Sequence, residues 1–200
     1  MLKPFDPATI DFYNAEAPDY MASGRGGVGR HLPDFIARLG SGAKVLELGC
    51  GGGRDSERMI AAGLDVEPTD GSEGMARQAE QRLGRPVRVM RFEELDAVET
   101  YDAVWAHASL LHVPRDALPD IISRVHRALK PGGLHYANFK AGGTGGRDQM
   151  GRYYNYLSLD QAQDFYRQSG GWEFVEAFDY EGGGYDGKMG PWVALTVRKL

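Results

Sequence analysis

An α/β fold built on a mostly parallel sheet is what this sequence predicts, and three observations carry the prediction. Short apolar runs alternate with amphipathic helical stretches between residues 43 and 139. The first of these runs, Val45-Leu46-Glu47-Leu48, passes directly into the glycine-rich turn Gly49-Cys50-Gly51-Gly52-Gly53 and then into a helix. The last two apolar runs are separated by a segment too short for a crossover helix, so they should pair antiparallel. Strands alternating with helices imply right-handed crossovers and a sheet covered on both faces.

Taken in order, residues Thr9 to Met21 form the first predicted helix, carrying Phe12, Tyr13, Ala17 and Tyr20, with Pro18 as a place to kink or break it. Gly24 to Gly29 is a glycine-dense, flexible joint. The following helix reaches Leu39, because Leu32, Phe35, Ile36 and Leu39 recur at i, i+3, i+4, i+7. Ala43–Leu48 is the first strand, and a helix from Asp55 to Ala62 is stopped by Gly63. Leu64–Pro68 is the second strand; Ser72 can N-cap a helix running to Leu83 and closed by Gly84. Val87–Phe92 and Tyr101–His107 supply the third and fourth strands. A helix from Asp116 to Leu129 sets Leu118, Ile121, Ile122, Val125 and Leu129 on one face, and Leu134–Phe139 follows the Pro131-Gly132-Gly133 turn as the fifth strand. Ser158 with Gln161 three places on is a capping-box pattern. Glu173–Tyr180 and Trp192–Arg198 make the closing hairpin.

Composition bounds the function. The chain has 200 residues, enough for one domain with a sizeable core. A formal charge of −5 without a basic block argues against nucleic acid as a partner. No apolar run approaches the roughly 18–20 residues that span a bilayer, and MLKPFDPATI lacks the apolar core of a signal peptide. A cytoplasmic protein without a membrane partner, monomeric or homodimeric, is expected. Cys50 is the single cysteine, so neither an intrachain disulfide nor a thiolate metal cluster can form. It lies inside the glycine loop with no neighbour to activate it as a nucleophile.

The glycine turn is where chemistry concentrates. Glycine removes the Cβ atoms that would hold a ligand off the backbone, and the helix beyond aims unpaired N–H groups and its positive dipole end over the loop. That is a nucleotide cradle. A dinucleotide fingerprint, G-x-G-x-x-G, would need its third glycine where Arg54 stands. After the second strand, Asp70 can accept both hydroxyls of a ribose, or serve simply as an acid near a helix N-terminus. Met75 can pack on a base. Unperturbed histidine titrates near neutrality, so His107 and His112 can each line an acceptor pocket or act as a general base; His112 can instead cap the next helix. Lys140 ends the fifth strand, and Arg152 and Tyr153 follow the glycine run 142–146. Lys140 and Arg152 can clamp an anionic acceptor with tyrosines as walls, or stand on the surface.

Val45–Gly53 resembles motif I of the class I S-adenosylmethionine-dependent methyltransferases, (V/I/L)-x-(D/E)-x-G-x-G-x-G, at each defined position. The block Ala106-His107-Ala108-Ser109-Leu110-Leu111-His112-Val113-Pro114, with Leu129-Lys130-Pro131-Gly132-Gly133 and Phe139-Lys140, is similar to small methyltransferases of the tellurite-resistance group. Phe12–Tyr20 resembles the short lid that precedes the fold in many of them. Together these cover roughly residues 10 to 170. The resemblance implies a Rossmann-like three-layer sandwich with a seven-stranded, mostly parallel sheet in which only the last strand is antiparallel. It implies S-adenosylmethionine as cofactor, S-adenosylhomocysteine as its product and a small molecule as acceptor. Residues 1–40 would be lid helices and residues 41–200 the core, with the 142–146 loop completing the lid.

The implied cofactor contacts are Tyr13 and Tyr20 from the lid, then Glu47, Gly49, Cys50, Gly51, Gly53 and Arg54 from motif I. Asp70, Gly71 and Met75 follow the second strand, and Ala106 ends the fourth. After the third strand the family carries an aspartate for the adenine amino group, whereas this chain has Arg91-Phe92-Glu93-Glu94. Either Glu93 takes that role, or Phe92 packs on the ring while the backbone at Glu93 binds its edge. Two rivals stay open: an NAD-dependent oxidoreductase, disfavoured by Arg54 and the terminal hairpin, and a non-catalytic S-adenosylmethionine-binding protein.

Overall fold

The computed structural model describes residues 3–23, 27–185 and 187–200, so half of the expected glycine joint lies outside the described residues. The first helix, α1 (Pro7–Ala22), starts where the Asp6 carboxylate accepts from the Thr9 N–H at 2.8 Å. It runs through Pro18 without breaking. The carbonyl of Asn14, whose helical partner Pro18 cannot supply, faces Gly74 so closely that a Cβ there would stand 2.8 Å from it. A short α2 (Leu32–Ala37) follows, then β1 (Lys44–Leu48), α3 (Arg54–Ala61), β2 (Asp65–Asp70) and α4 (Glu73–Leu83). Ser72 caps α4 and Gly84 closes it in the left-handed region, as the sequence pattern predicts.

The third strand departs from expectation. β3 is only Arg88–Val89, an edge strand that leaves the sheet once the Met90 N–H has bonded the Asp70 carbonyl. Arg91 then pairs with Glu93 at 2.7 Å and Glu94 at 2.7 Å, which folds Phe92–Glu94 into a single 3-10 turn. β4 (Tyr101–Ala106), α5 (Leu118–Ala128) and β5 (Leu129–Lys140) come next, the last beginning five residues earlier than Leu134 because Leu129 already pairs with Tyr101. A two-residue ribbon, β6 (Gly146–Arg147) and β7 (Tyr153–Tyr154), precedes α6 (Leu159–Ser169), whose start carries the reciprocal Ser158–Gln161 capping bonds. The long hairpin β8 (Trp172–Gly183) and β9 (Met189–Lys199) ends the chain.

The sheet order is β3-β2-β1-β4-β5-β9-β8. β9 runs against both β5 and β8, so β9 alone is antiparallel to the rest, matching the fold the resemblance implies. Alternation along β1 feeds two cores. Leu46 and Leu48 enter one with Ile121, Ile122 and Val125 of α5 and Tyr166 of α6, while Val45 enters the other with Leu32, Phe35, Met59 and Trp105. The order reverses between β1 and β4, and at such a switch point the strand ends open onto a crevice. No helix among the described residues is long and apolar enough to cross a membrane.

Candidate functional site

A cavity of about 530 Å³ lies over the carboxyl ends of β1, β2, β4 and β5. Its floor is the glycine turn. Gly49, Gly51 and Gly53 take φ of +76°, +54° and +77°, a region that side chains disfavour. A Cβ on Gly49 would stand 2.5 Å from Cβ of Ser109, so the turn is drawn against the loop after β4. Gly53 faces away from the cavity, onto Ala79 and Leu83 of α4, whereas Arg54 lines it.

Asp70 ends β2 with both oxygens engaged. The Gly51 N–H donates to Oδ2 at 2.9 Å and the Ser72 N–H to Oδ1 at 2.8 Å. Burial pushes its carboxyl up to about 6, against the pull of those two donors. Each oxygen keeps a lone pair for a ligand hydroxyl. Gly71 and Met75 line the same wall. Glu47 is buried behind the turn and accepts from the Ser56 hydroxyl of α3; burial first, then the charge of Asp55, raises its carboxyl to about 8. Cys50 borders the cavity, and burial pushes its thiol up, so it is an unreactive packing group there.

Phe92 and Glu93 reach the cavity through the 3-10 turn. Glu93 Oε1 holds Arg91, while Oε2 is buried with no partner. Ser109 Oγ is a second buried, unpartnered atom on the lining. Orphaned acceptors of this kind need a ligand or water. A glycine cradle that excludes Cβ, a carboxylate with two spare lone pairs and an acid with one unpartnered oxygen beside a phenyl ring fit an adenosine group.

The two histidines differ. His107 follows β4 and lines the cavity; its Nδ1 lies 3.0 Å from Asp55 Oδ2. Asp55 also accepts from Trp105 Nε1 at 2.8 Å and from the Gly29 N–H at 2.8 Å. Although burial pushes that carboxyl up, the bonds from His107, Gly29 and Trp105 hold it below the usual range. His112 is closed on both sides. Its Nδ1 donates to the Tyr153 carbonyl at 2.6 Å, which leaves Nε2 to accept from the Tyr13 hydroxyl at 3.0 Å. Burial lowers its pKa to about 4, so it is a neutral ring.

Several expected positions need correcting. Ala106 is fully buried in β4, and the next two residues face the cavity in its place. Ala108 there adopts φ +51°, held by the Asn138 side-chain oxygen accepting from its N–H at 2.6 Å. Tyr153 contributes only backbone: its N–H donates to Thr9 Oγ1, its carbonyl binds His112, and its ring lies by Gly145, leaving Tyr154 to line the cavity. Arg152 reaches the lining but is already neutralised. It is wholly buried, gives two bonds to Asp148 Oδ2 at 3.0 and 2.7 Å, and donates to the Tyr13 hydroxyl at 3.0 Å. It therefore holds lid to core rather than standing ready for a free anion. Lys140 lines the cavity with its ammonium 4.5 Å from the Tyr154 ring centre.

The lid also differs. Tyr13 and Tyr20 of α1 face the cavity, and Asn14 anchors the helix by accepting from Ser72 Oγ at 2.8 Å. The 142–146 loop does not line the cavity, because Gly143 packs on Tyr156 and Gly142 on Pro191. The same wall is completed by the tip of the β8–β9 hairpin, where Tyr185 stacks on Tyr20 at 4.5 Å between ring centres. Asp55, Asn138, Tyr180 and Tyr185 line the cavity, and sequence patterning passes over them. A first-turn acid in α3 was the one available sign, and it pointed to Asp55 only as a helix-start residue.

Comparison with known proteins agrees with this geometry. Residues 45–133 match the sequence family described as a methyltransferase domain. A ubiquinone biosynthesis O-methyltransferase of Xanthomonas oryzae is 38% identical over 109 residues, which is 50% of this chain and 45% of that protein. The chain thus spans about half the length of the curated relatives it matches. Among solved structures, a 1,6-didemethyltoxoflavin-N1-methyltransferase of Burkholderia thailandensis, with 1,6-didemethyltoxoflavin and S-adenosylhomocysteine bound, superposes with TM-score 0.79 at 21% identity, covering 100% of this chain and 91% of that one. A TehB-like S-adenosylmethionine-dependent methyltransferase of Corynebacterium glutamicum gives TM-score 0.70 at 21% identity, covering 98% and 100%. At such identity these two likenesses are of fold.

Proposed function

From the premise that residues 45–133 form a methyltransferase domain in a chain with the class I S-adenosylmethionine-dependent fold, we propose that this protein transfers a methyl group from S-adenosylmethionine to a small molecule. The observation that carries the cofactor is Asp70, fixed by the backbone of the motif I turn and of the α4 cap with a lone pair free on each oxygen. Paired hydroxyls at the spacing of a ribose match that carboxylate. Glu93 Oε2, otherwise unpaired, would take the adenine amino group, with Phe92 and Met75 against the ring. Glu47 orders the start of α3 through Ser56, so the helix presents its N–H groups to the cavity.

When bound, the cofactor supplies an electrophilic methyl on a sulfonium, a leaving group that needs no protonation. The chain's work is then alignment and exclusion of water. Tyr13, Tyr20 and Tyr185 close one side, and Arg152 ties Tyr13 to the core. A 530 Å³ cavity shared by cofactor and acceptor leaves room for a small acceptor. The relative named for ubiquinone biosynthesis points toward oxygen as the methylated atom. Calorimetric titration with S-adenosylmethionine, S-adenosylhomocysteine and NAD tests the reading. Micromolar binding of the first two is expected, and binding of NAD alone would replace it with the oxidoreductase reading.

A further inference from the structure

Within the proposed methyl transfer, the two cavity histidines are not equivalent, and their difference bears on the acceptor. His112 has no nitrogen to spare, being bonded to the Tyr153 carbonyl and the Tyr13 hydroxyl. Among the described residues His107 is bonded through Nδ1 alone. The carboxylate facing that nitrogen, Asp55, is an acceptor only, so the Nδ1–H tautomer is the one it selects. The lone pair is thereby placed on Nε2. Asp55 is itself locked in position by Trp105 Nε1 and the Gly29 N–H.

We propose that His107 and Asp55 form a base dyad that takes the proton of a phenolic or enolic hydroxyl, so that the acceptor is a hydroxyl-bearing molecule methylated on oxygen. The proposal rests on the methyltransferase reading and names its substrate class. The acceptor's O–H proton passes to His107 Nε2 while an oxygen lone pair forms the bond to the methyl carbon. The C–S bond breaks with its electrons left on sulfur, and the imidazolium then returns its proton to solvent. Proton transfer to an imidazole is far less uphill from a phenol or enol than from an aliphatic alcohol. Arg30 and Lys140 line the same cavity and can face a developing oxyanion, beside the acids Asp55, Asp70 and Glu93. A carboxylate acceptor would arrive ionised and leave the dyad without work.

The groups acting on His107 come from three elements. Asp55 bonds it from α3, His31 before α2 interacts with it electrostatically, and Glu47 on β1 faces Asp55. Asp55 is a positioning residue, since it acts through the ring. Ring-nitrogen NMR of the ¹⁵N-labelled protein with S-adenosylhomocysteine tests the tautomer, read alongside Asp55→Asn. The Nδ1–H form of His107 is expected, lost in that variant; an Nε2–H form overturns the dyad, whatever is turned over. In parallel, catechol, 2-naphthol, benzoate and benzylamine are offered with S-adenosylmethionine, and S-adenosylhomocysteine is measured by mass spectrometry.

Turnover of the phenols, lowered on the order of 10²-fold or more in His107→Gln at unchanged S-adenosylhomocysteine affinity, is the expected result. Methylation of benzoate or benzylamine in their place, or an undiminished His107→Gln, overturns the proposal. Failure of the wild-type protein to bind S-adenosylhomocysteine would instead remove the methyltransferase reading beneath it.

Discussion

Replacing Asp70 with asparagine removes little volume and much function if the ribose reading is right. The carboxylate receives the Gly51 N–H on one oxygen and the Ser72 N–H on the other, at 2.9 and 2.8 Å. An amide offers one acceptor oxygen, so its NH₂ must face one of those two donors. That leaves a backbone N–H unpaired, at a cost of about 1–3 kcal/mol to the folded protein. On the ligand side, two hydrogen bonds to a charged acceptor become one neutral bond and one loss, about 2–4 kcal/mol together. The Kd for S-adenosylhomocysteine should rise on the order of 30- to 1000-fold. Calorimetry reads the affinity, and circular dichroism melting checks that the variant is folded. The wild-type affinity should also fall as pH drops through about 6, where burial places the titration of this carboxyl. A folded Asp70→Asn variant that binds within about threefold of wild type would refute the assignment.

Three further outcomes follow from the same geometry. Glu47 has its carboxyl raised to about 8 by burial, so the native state holds a proton that the unfolded chain releases near its ordinary value of about 4. Its contribution is present at low pH and lost as pH rises through 8; His112 and His135, held down to about 4, oppose it only below about 6.5. The melting temperature of the ligand-free protein should therefore fall between about pH 6.5 and 8.5, and Glu47→Gln should flatten that fall; a flat wild-type profile would contradict the burial argument. Arg152→Ala breaks a buried ion pair with Asp148, which should cost about 3–5 kcal/mol in urea unfolding, whereas unchanged stability with a raised acceptor KM would mean that the arginine serves the acceptor after all. Gly63→Ala, at φ +83° in open space, should cost only about 1–2 kcal/mol, while Gly49→Ala, whose new carbon would meet Ser109 at 2.5 Å, should abolish cofactor binding as well.

What the sequence made legible was governed by local rules. Ser72, Gly84 and the Ser158–Gln161 pair mark helix ends because capping is settled within a few residues. The glycine turn was readable because three alternating positions with positive φ leave a compositional trace. The losses are non-local. Nothing near Arg152 in the sequence says that α1 will cover it and deliver Tyr13 to its guanidinium. Asp55 looks like an ordinary first-turn acid until β4 brings Trp105 and His107 to its carboxylate. The 142–146 loop has a lid's composition, yet its glycines serve close packing against Tyr156 and Pro191. The hairpin tip that does wall the cavity is separated from Tyr20 by most of the chain, and only the β8–β9 register carries Tyr185 back to it.

The most direct test of the central claim is a crystal structure of the protein with S-adenosylhomocysteine. The ribose hydroxyls should lie within hydrogen-bond distance of Asp70, the adenine edge against Glu93, and the sulfur should face the His107 side of the cavity. A ligand bound elsewhere, or in this cavity with its ribose away from Asp70, would contradict the account.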